Sequence, residues 1–206
     1  MNTKKNRVLF CLLLTALMLF LAACSKGEEG DGKDGGSDEV LLPISINGKE
    51  IRVGETTVQT LLDEGFEVSW VDESFNRITV DPTTQLEADS YYTGGSIKVT
   101  DNMSFLISFT TGEEAVPLGE AVIARLELTA AGEDDKSVLE TISFDGVPIT
   151  ELTQKKAAEK YPDWTGNETM WLHYGLEYKY DLNFDMSTGY LNKFAVERTY
   201  DVDWNG

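Results

Sequence analysis

Across residues 175–186 the side chains alternate almost without fault: Leu176, Tyr178, Tyr180, Leu182, Phe184 and Met186 against Glu177, Lys179, Asp181, Asn183 and Asp185. A period of two sends these sets to opposite sides of a pleated backbone, so the stretch predicts an antiparallel strand with one face buried and one in water. Ser187-Thr188-Gly189 then predicts a turn into a hairpin partner over residues 190–199.

Strand signals run through most of what precedes it. Val40-Leu41-Leu42-Pro43-Ile44-Ser45-Ile46 leads into Asn47-Gly48, the strongest short hairpin signal, and residues 50–53 return. Thr56 or Thr57 caps a short helix that carries Val58, Leu61 and Leu62 on one face and stops at Gly65. Strands are predicted near residues 67–71 and 77–80. After a Pro82 turn, a polar loop and Tyr91-Tyr92-Thr93-Gly94-Gly95, they resume on Ile97 and Val99, on Met103, Phe105, Ile107 and Phe109, and on Val122, Ala124, Leu126 and Leu128. Residues 130–136 read as a solvated turn.

The chain then begins again. Ile142-Ser143-Phe144-Asp145-Gly146-Val147-Pro148-Ile149 echoes Ile44-Ser45-Ile46-Asn47-Gly48-Lys49-Glu50-Ile51 at the first Ile, the Ser, the Gly and the last Ile, with Asp for Asn at the turn. A helix follows each copy. The second starts near Thr153, places Ala157, Ala158 and Tyr161 on one face and must end before Pro162. The expected fold class is α+β: antiparallel sheets with one short helix per repeat, the first repeat over residues 40–137 and the second over 138–206.

At the other end, Lys4, Lys5 and Arg7 precede a run from Val8 to Ala23 that is apolar apart from Thr15, the layout of a secretory signal. A spanning helix needs roughly 20 apolar residues, and this run is shorter. Leu21-Ala22-Ala23-Cys24 resembles the lipobox of the bacterial lipoprotein family, which signal peptidase II cuts before the cysteine. The resemblance implies a signal peptide over residues 1–23 and a diacylglycerol on Cys24, with palmitate among its chains. Each buried acyl CH₂ contributes about 0.8 kcal/mol, and stable membrane residence takes about two chains. Residues 25–39 follow with five glycines, six acids, two lysines and no large apolar side chain. With Cys24 they read as a tether, about 20 Å end to end as a flexible coil.

With the signal removed, 17 basic residues less Lys4, Lys5 and Arg7 leave 14 against 36 acids, a formal charge of −22. Nucleic acid and anionic head groups are poor partners for such a surface. Cys11 leaves with the signal and Cys24 carries lipid, so the folded part has neither disulfide nor thiolate site and stands on its hydrophobic core.

The order of elements over residues 142–199, helix then aromatics and glycine then a long alternating hairpin, resembles the β-lactamase inhibitor protein and the envelope lipoproteins built like it. The two-copy arrangement is similar as well, and implies two tandem repeats of that kind; the inhibitor's paired cysteines have no counterpart here. Residues 44–66 also look like the opening of uncharacterised lipoproteins of Gram-positive bacteria.

Chemistry is sparsely signalled. His173 is the only histidine, no Gly-x-Ser-x-Gly elbow accompanies it, and its neighbourhood of Trp171 and Tyr174 reads as a packing strand. Asp181-Leu182-Asn183-Phe184-Asp185 spaces oxygen donors as a calcium loop begins, but Met186 stands where that loop needs glycine and Asn192 where it needs glutamate. No catalytic residue, cofactor or metal site is assigned. The expectation is a lipid-anchored binding module on the extracytoplasmic face of the cell membrane, monomeric, not an enzyme, with an envelope protein or glycan as partner. An envelope hydrolase with an unrecognised carboxylate site is the alternative. An importer's substrate receptor fits less well, since it needs two larger lobes. Pro162-Asp163-Trp164-Thr165-Gly166-Asn167 has loop composition, which leaves two readings: Trp164 and Trp171 cap the end of the core, or Trp164 presents its ring to solvent, and the loop is nominated as the partner contact with Trp164 as anchor and Trp171 beside it.

Overall fold

Asn47 and Gly48 hold φ of +53° and +75°, and Asp145 and Gly146 hold +47° and +74°, so both echoed octapeptides turn with two successive left-handed residues. Asn-Gly and Asp-Gly tolerate that geometry best, and it matches the twist of the strands it joins. The computed structural model describes residues 41–72, 74–129, 136–200 and 203–205. In the first hairpin β1 (Ile44–Ile46) returns as β2 (Lys49–Ile51). In the second, β10 (Ile142–Phe144) returns as β11 (Val147–Pro148).

The two hairpins pair with each other. The strands β1 and β10 run antiparallel with Ile44 opposite Phe144, Ser45 opposite Ser143 and Ile46 opposite Ile142, so the pairing is centred on the same position of each octapeptide. At its two ends Asn47 N–H donates to the Thr141 carbonyl (3.0 Å) and Asp145 N–H to the Pro43 carbonyl (2.9 Å). The result is a four-stranded sheet in the order β11-β10-β1-β2.

Each hairpin feeds a short helix. Thr57 caps α1 (Val58–Asp63), its hydroxyl accepting from Thr60 N–H at 3.1 Å, and Gly65 at φ +82° ends the segment. A one-turn helix α2 (Lys136–Leu139) precedes β10. Thr153 caps α3 (Gln154–Lys160) in the same way, and Tyr161 closes it before Pro162. Helices this short do not stand alone in water; buried Val58 and Leu61 fix α1 and buried Ala157 fixes α3.

The second sheet has ten strands. From the first half come β3 (Glu67–Val71), β4 (Arg77–Thr79), β6 (Ser90–Lys98), β7 (Ser104–Thr110) and β9 (Val122–Thr129). From the second come β12 (Thr165–Gly166), β13 (Met170–Tyr174), β14 (Tyr178–Phe184) and β15 (Leu191–Arg198). Two short strands, β5 (Gln85–Leu86) and β8 (Val116–Pro117), pair with one another at its side. The order is β12-β13-β14-β15-β9-β7-β6-β3-β4. The seam between halves is β9 with β15, centred on Glu127 opposite Ala195. A last strand, β16 (Asp203–Asn205), runs parallel to β6 opposite residues 90–92, beyond the end of β3, which pairs with β6 only over residues 96–98.

The N-termini of the two capped helices are stitched to the sheet by the same exchange. Val58 N–H donates to Ala121 (3.0 Å) and Ile123 N–H to Thr56 (2.9 Å); Gln154 N–H donates to Gly189 (3.2 Å) and Leu191 N–H to Leu152 (3.3 Å). The hairpin sheet and helices cover one face of the large sheet. Phe144 lies 5.9 Å from the Tyr180 ring and 6.0 Å from Phe194, and Leu42 N–H donates to the Tyr180 hydroxyl at 3.0 Å. The opposite face is polar: Glu127 sits between Arg125 and Lys193 (2.9 Å), and Arg125 also reaches Glu197 (2.6 Å). Burial opposes charge on Glu127, and hydrogen bonds from Lys193 and Arg125 outweigh it, holding the carboxyl below its ordinary range.

The architecture is thus sheet-rich and antiparallel, with few, short helices, in line with the expected α+β class. Three local readings need correction. Gly94 and Gly95 do not precede a strand; they lie inside β6, where the register slips between Tyr92 and Gly95. A Cβ on Gly95 would stand 2.7 Å from Ile107, so only glycine fits that bulge. Leu176 and Met186, the ends of the alternation, are exposed in the turns at either end of β14. The opening strand starts at Ile44, after Pro43. The expected signal, lipobox Leu21, Ala22, Ala23, lipid-bearing Cys24, the tether and the turn over 130–135 lie outside the described residues.

Candidate functional site

The loop expected to hold a partner is built differently from its composition. Trp164 N–H bonds to the Tyr161 carbonyl (3.1 Å), which folds the loop back onto α3. The indole is half-buried and stacked, 4.2 Å from the Tyr161 ring, 5.2 Å from Tyr180 and 5.5 Å from His173. Of the two readings of Trp164 its ring takes the one that caps the aromatic core, because the α3 end brings Tyr161 beneath it. Under this stack Tyr161 donates to Asp145 (3.1 Å), and burial first, then the Asp145 charge, push its phenol up. Trp171, on β13, is half-buried against Gly166, where an added Cβ would meet the indole at 2.5 Å. His173 lies on the same strand, opposite Tyr180.

Asp181 and Asn183 lie on β14, and Asp185 lies in the turn after it. The Asp185 carboxylate accepts from Ser187 N–H (2.9 Å) and hydroxyl (2.5 Å) and from Thr188 N–H (2.8 Å) and hydroxyl (3.1 Å), which bring it down to about 2. Its acceptor capacity serves the turn. Among the described residues no three acid, histidine or cysteine side chains are grouped for a metal.

A site that composition did not signal lies at the other end of the sheet. Where β3 turns toward β4, Asp72 organises the loop: its Oδ1 accepts from Ser74 and Asn76 N–H (both 2.9 Å), and its carbonyl accepts from Phe75 N–H (2.9 Å). Phe75 takes φ +61° there. Among the described residues the other non-glycine positions at positive φ are Asn47, Asp89 and Asp145, types that accept the left-handed region because their short polar side chains bond locally. Phenylalanine has no such compensation, and the conformation costs it about 1–2 kcal/mol. Its ring is also 90% exposed.

Beside Phe75 opens a groove of about 940 Å³. Its aromatic lining is Trp70 from β3 and Tyr92 from β6, both packed on Phe109, at 5.7 Å and, stacked, 5.6 Å. The far wall is the segment of β5, with Leu86 buried behind it. That wall is pinned at Glu87, whose N–H donates to the Tyr92 hydroxyl (2.9 Å) while its carbonyl accepts from Thr111 (2.7 Å). Gly94 keeps the base open, since a Cβ there would approach Val71 to 3.3 Å. Among the described residues the groove's charged lining is Asp72 and Glu87, both acids.

In the sequence the groove's residues are scattered from 70 to 94, and the one local sign was an aromatic ring enclosed by the turn formers Asp72, Ser74 and Asn76. No family model, curated protein or solved structure matches the chain.

Proposed function

We propose that this protein is a lipoprotein of the bacterial cell envelope, held at the extracytoplasmic face of the membrane through lipid on Cys24, and that its folded part is a binding module whose partner enters the groove beside Phe75. The observation that carries the binding reading is the groove itself: pinned walls, an aromatic lining, and a strained, exposed phenylalanine at its rim. Mostly apolar concave sites with few fixed polar groups are where ligands are taken. The anchor rests on the Leu21-Ala22-Ala23-Cys24 motif and the glycine-acid tether after it.

Two tandem repeats of the β-lactamase inhibitor protein kind remain the reading of the fold, with boundaries near residues 40–137 and 138–206. What supports it is that hairpin meets hairpin at Ser45 and Ser143, and that each capped helix joins its sheet by the same pair of hydrogen bonds.

The alternative, a hydrolase, draws on Asp72 and Glu87 lining one groove. Against it, Asp72 already spends one carboxylate oxygen on two backbone N–H groups of its own turn. The loop with Trp164, and Trp171 beside it, is a second contact surface, because Pro162, Asp163 and residues 165–168 are exposed around the capped ring.

The test labels cells with radioactive palmitate and places a photo-crosslinking residue at Gln85, in the groove, or at Lys155, on the outer side of α3. Label should enter the wild type and not Cys24→Ala, and an adduct should form from Gln85 and not Lys155. Equal labelling of both chains removes the anchor; equal adducts from both positions remove the groove.

A further inference from the structure

Resting on that binding reading, the inference concerns what the groove takes. We propose that it holds an extended segment of a basic protein partner, apolar side chains on Trp70 and Tyr92 and lysine or arginine toward Asp72 and Glu87, with Phe75 as the finger that closes over it.

Charge complementarity selects the occupant. The full chain is −19, and the charged groups among the described residues lining the groove, Asp72 and Glu87, are carboxylates. Such a field speeds the approach of cations and repels acidic chains, and a cation beside an aromatic face gains further attraction from the ring. A second copy of this chain would bring the same negative charge. A neutral glycan would gain nothing from the acidic rim, whereas Thr84, Gln85 and Thr93, beside Trp70 and Tyr92 in the lining, can serve the backbone of an extended segment. Basic and apolar side chains in one extended segment use both features.

Phe75 fits the role of the finger because its position is unfavourable for the free protein. A left-handed turn residue would ordinarily be Gly or Asn, and a ring 90% exposed gains nothing from burial. Strain of this kind concentrates at ligand clamps, where bound contacts repay it. Its replacement by glycine should then separate stability from binding.

The experiment uses the full chain in detergent and a capped hexapeptide of alternating lysine and leucine, titrated by calorimetry. Three probes are run beside it: the same peptide with glutamate for lysine, the same with serine for leucine, and a chitin tetrasaccharide. The lysine–leucine peptide should bind, and the other three at least about tenfold more weakly, the margin a buried anchor commonly supplies. Phe75→Gly should lose about tenfold in affinity while its Tm holds or rises by a few degrees, as relief of a left-handed side chain predicts. Glu87→Gln, which leaves the backbone bond to Tyr92 in place, should lose affinity and flatten the salt dependence.

Equal binding of the serine peptide would reduce the effect to surface charge and overturn the proposal, as would tighter binding of the tetrasaccharide. A Tm that falls in Phe75→Gly with affinity intact would make the ring structural and overturn the finger. If the peptides fail while Gln85 still crosslinks in membranes, the occupant is wrong and the binding module stands; if both fail, both readings fall.

Discussion

Replacing Trp164 by alanine distinguishes a ring that caps the core from one offered to a partner. A fully buried aromatic side chain removes roughly 200 Å² from water. Trp164 is at least about two-thirds buried and so removes at least about 130 Å², which at about 25 cal/mol/Å² contributes about 3 kcal/mol. Its stacks on Tyr161 at 4.2 Å, on Tyr180 at 5.2 Å and on His173 at 5.5 Å add to this without being additive. A loss of about 3 kcal/mol follows, against about 4 for Tyr180→Ala, whose ring is 1% exposed. For a domain of this size that is a fall in Tm of roughly 6–12 °C for Trp164→Ala. Urea unfolding followed by far-ultraviolet dichroism measures both variants on one scale. A cost for Trp164→Ala below about 1 kcal/mol, with Tyr180→Ala at its full value, would show that the indole is not held by the stack, and the case for placing it in the core would be wrong.

Two further outcomes test local physics. Gly48→Ala and Gly146→Ala should each destabilise by about 1 kcal/mol, although nothing lies within 4 Å of either added Cβ; a neutral result in both would refute the left-handed turns. Asp185 titrates low, first through the Ser187 hydroxyl and then through Thr188. Its folded value is depressed, so its contribution to stability is complete above the ordinary aspartate value near 4 and is lost as pH falls through about 2. Its carboxyl carbon resonance should titrate near 2 and move up toward 4 in Ser187→Ala; an unchanged midpoint in the variant would remove the assigned cause.

What could be read from the chain was local. Asn47-Gly48 and Asp145-Gly146 name their turn type because few residues tolerate two left-handed positions, and Thr57 and Thr153 announce helix starts through a hydroxyl that reaches the first free N–H groups. The buried face of β14 followed from its period of two. What escaped depends on partners distant in the chain. Composition could place Trp164 in a loop, but only the packing of Tyr161 and Tyr180 decides that the ring turns inward. The ladder through Ser45 and Ser143 joins residues almost a hundred positions apart, and no short-range pattern encodes it. The groove is legible only once β3, β5 and β6 are adjacent. Gly95 within β6 reads as a loop signal until Ile107 is seen to occupy the space of its missing side chain.

The parallel pairing of β16 with residues 90–92 has a kinetic consequence. Its ladder joins residues more than a hundred positions apart, and loop closure over that distance slows its formation. Until it forms, the part of β6 next to Tyr92, on the floor of the groove, has an open flank where β3 has already ended. Such a flank is a template for a foreign strand. Pairing of β16 therefore shields the edge of β6 that β3 leaves open.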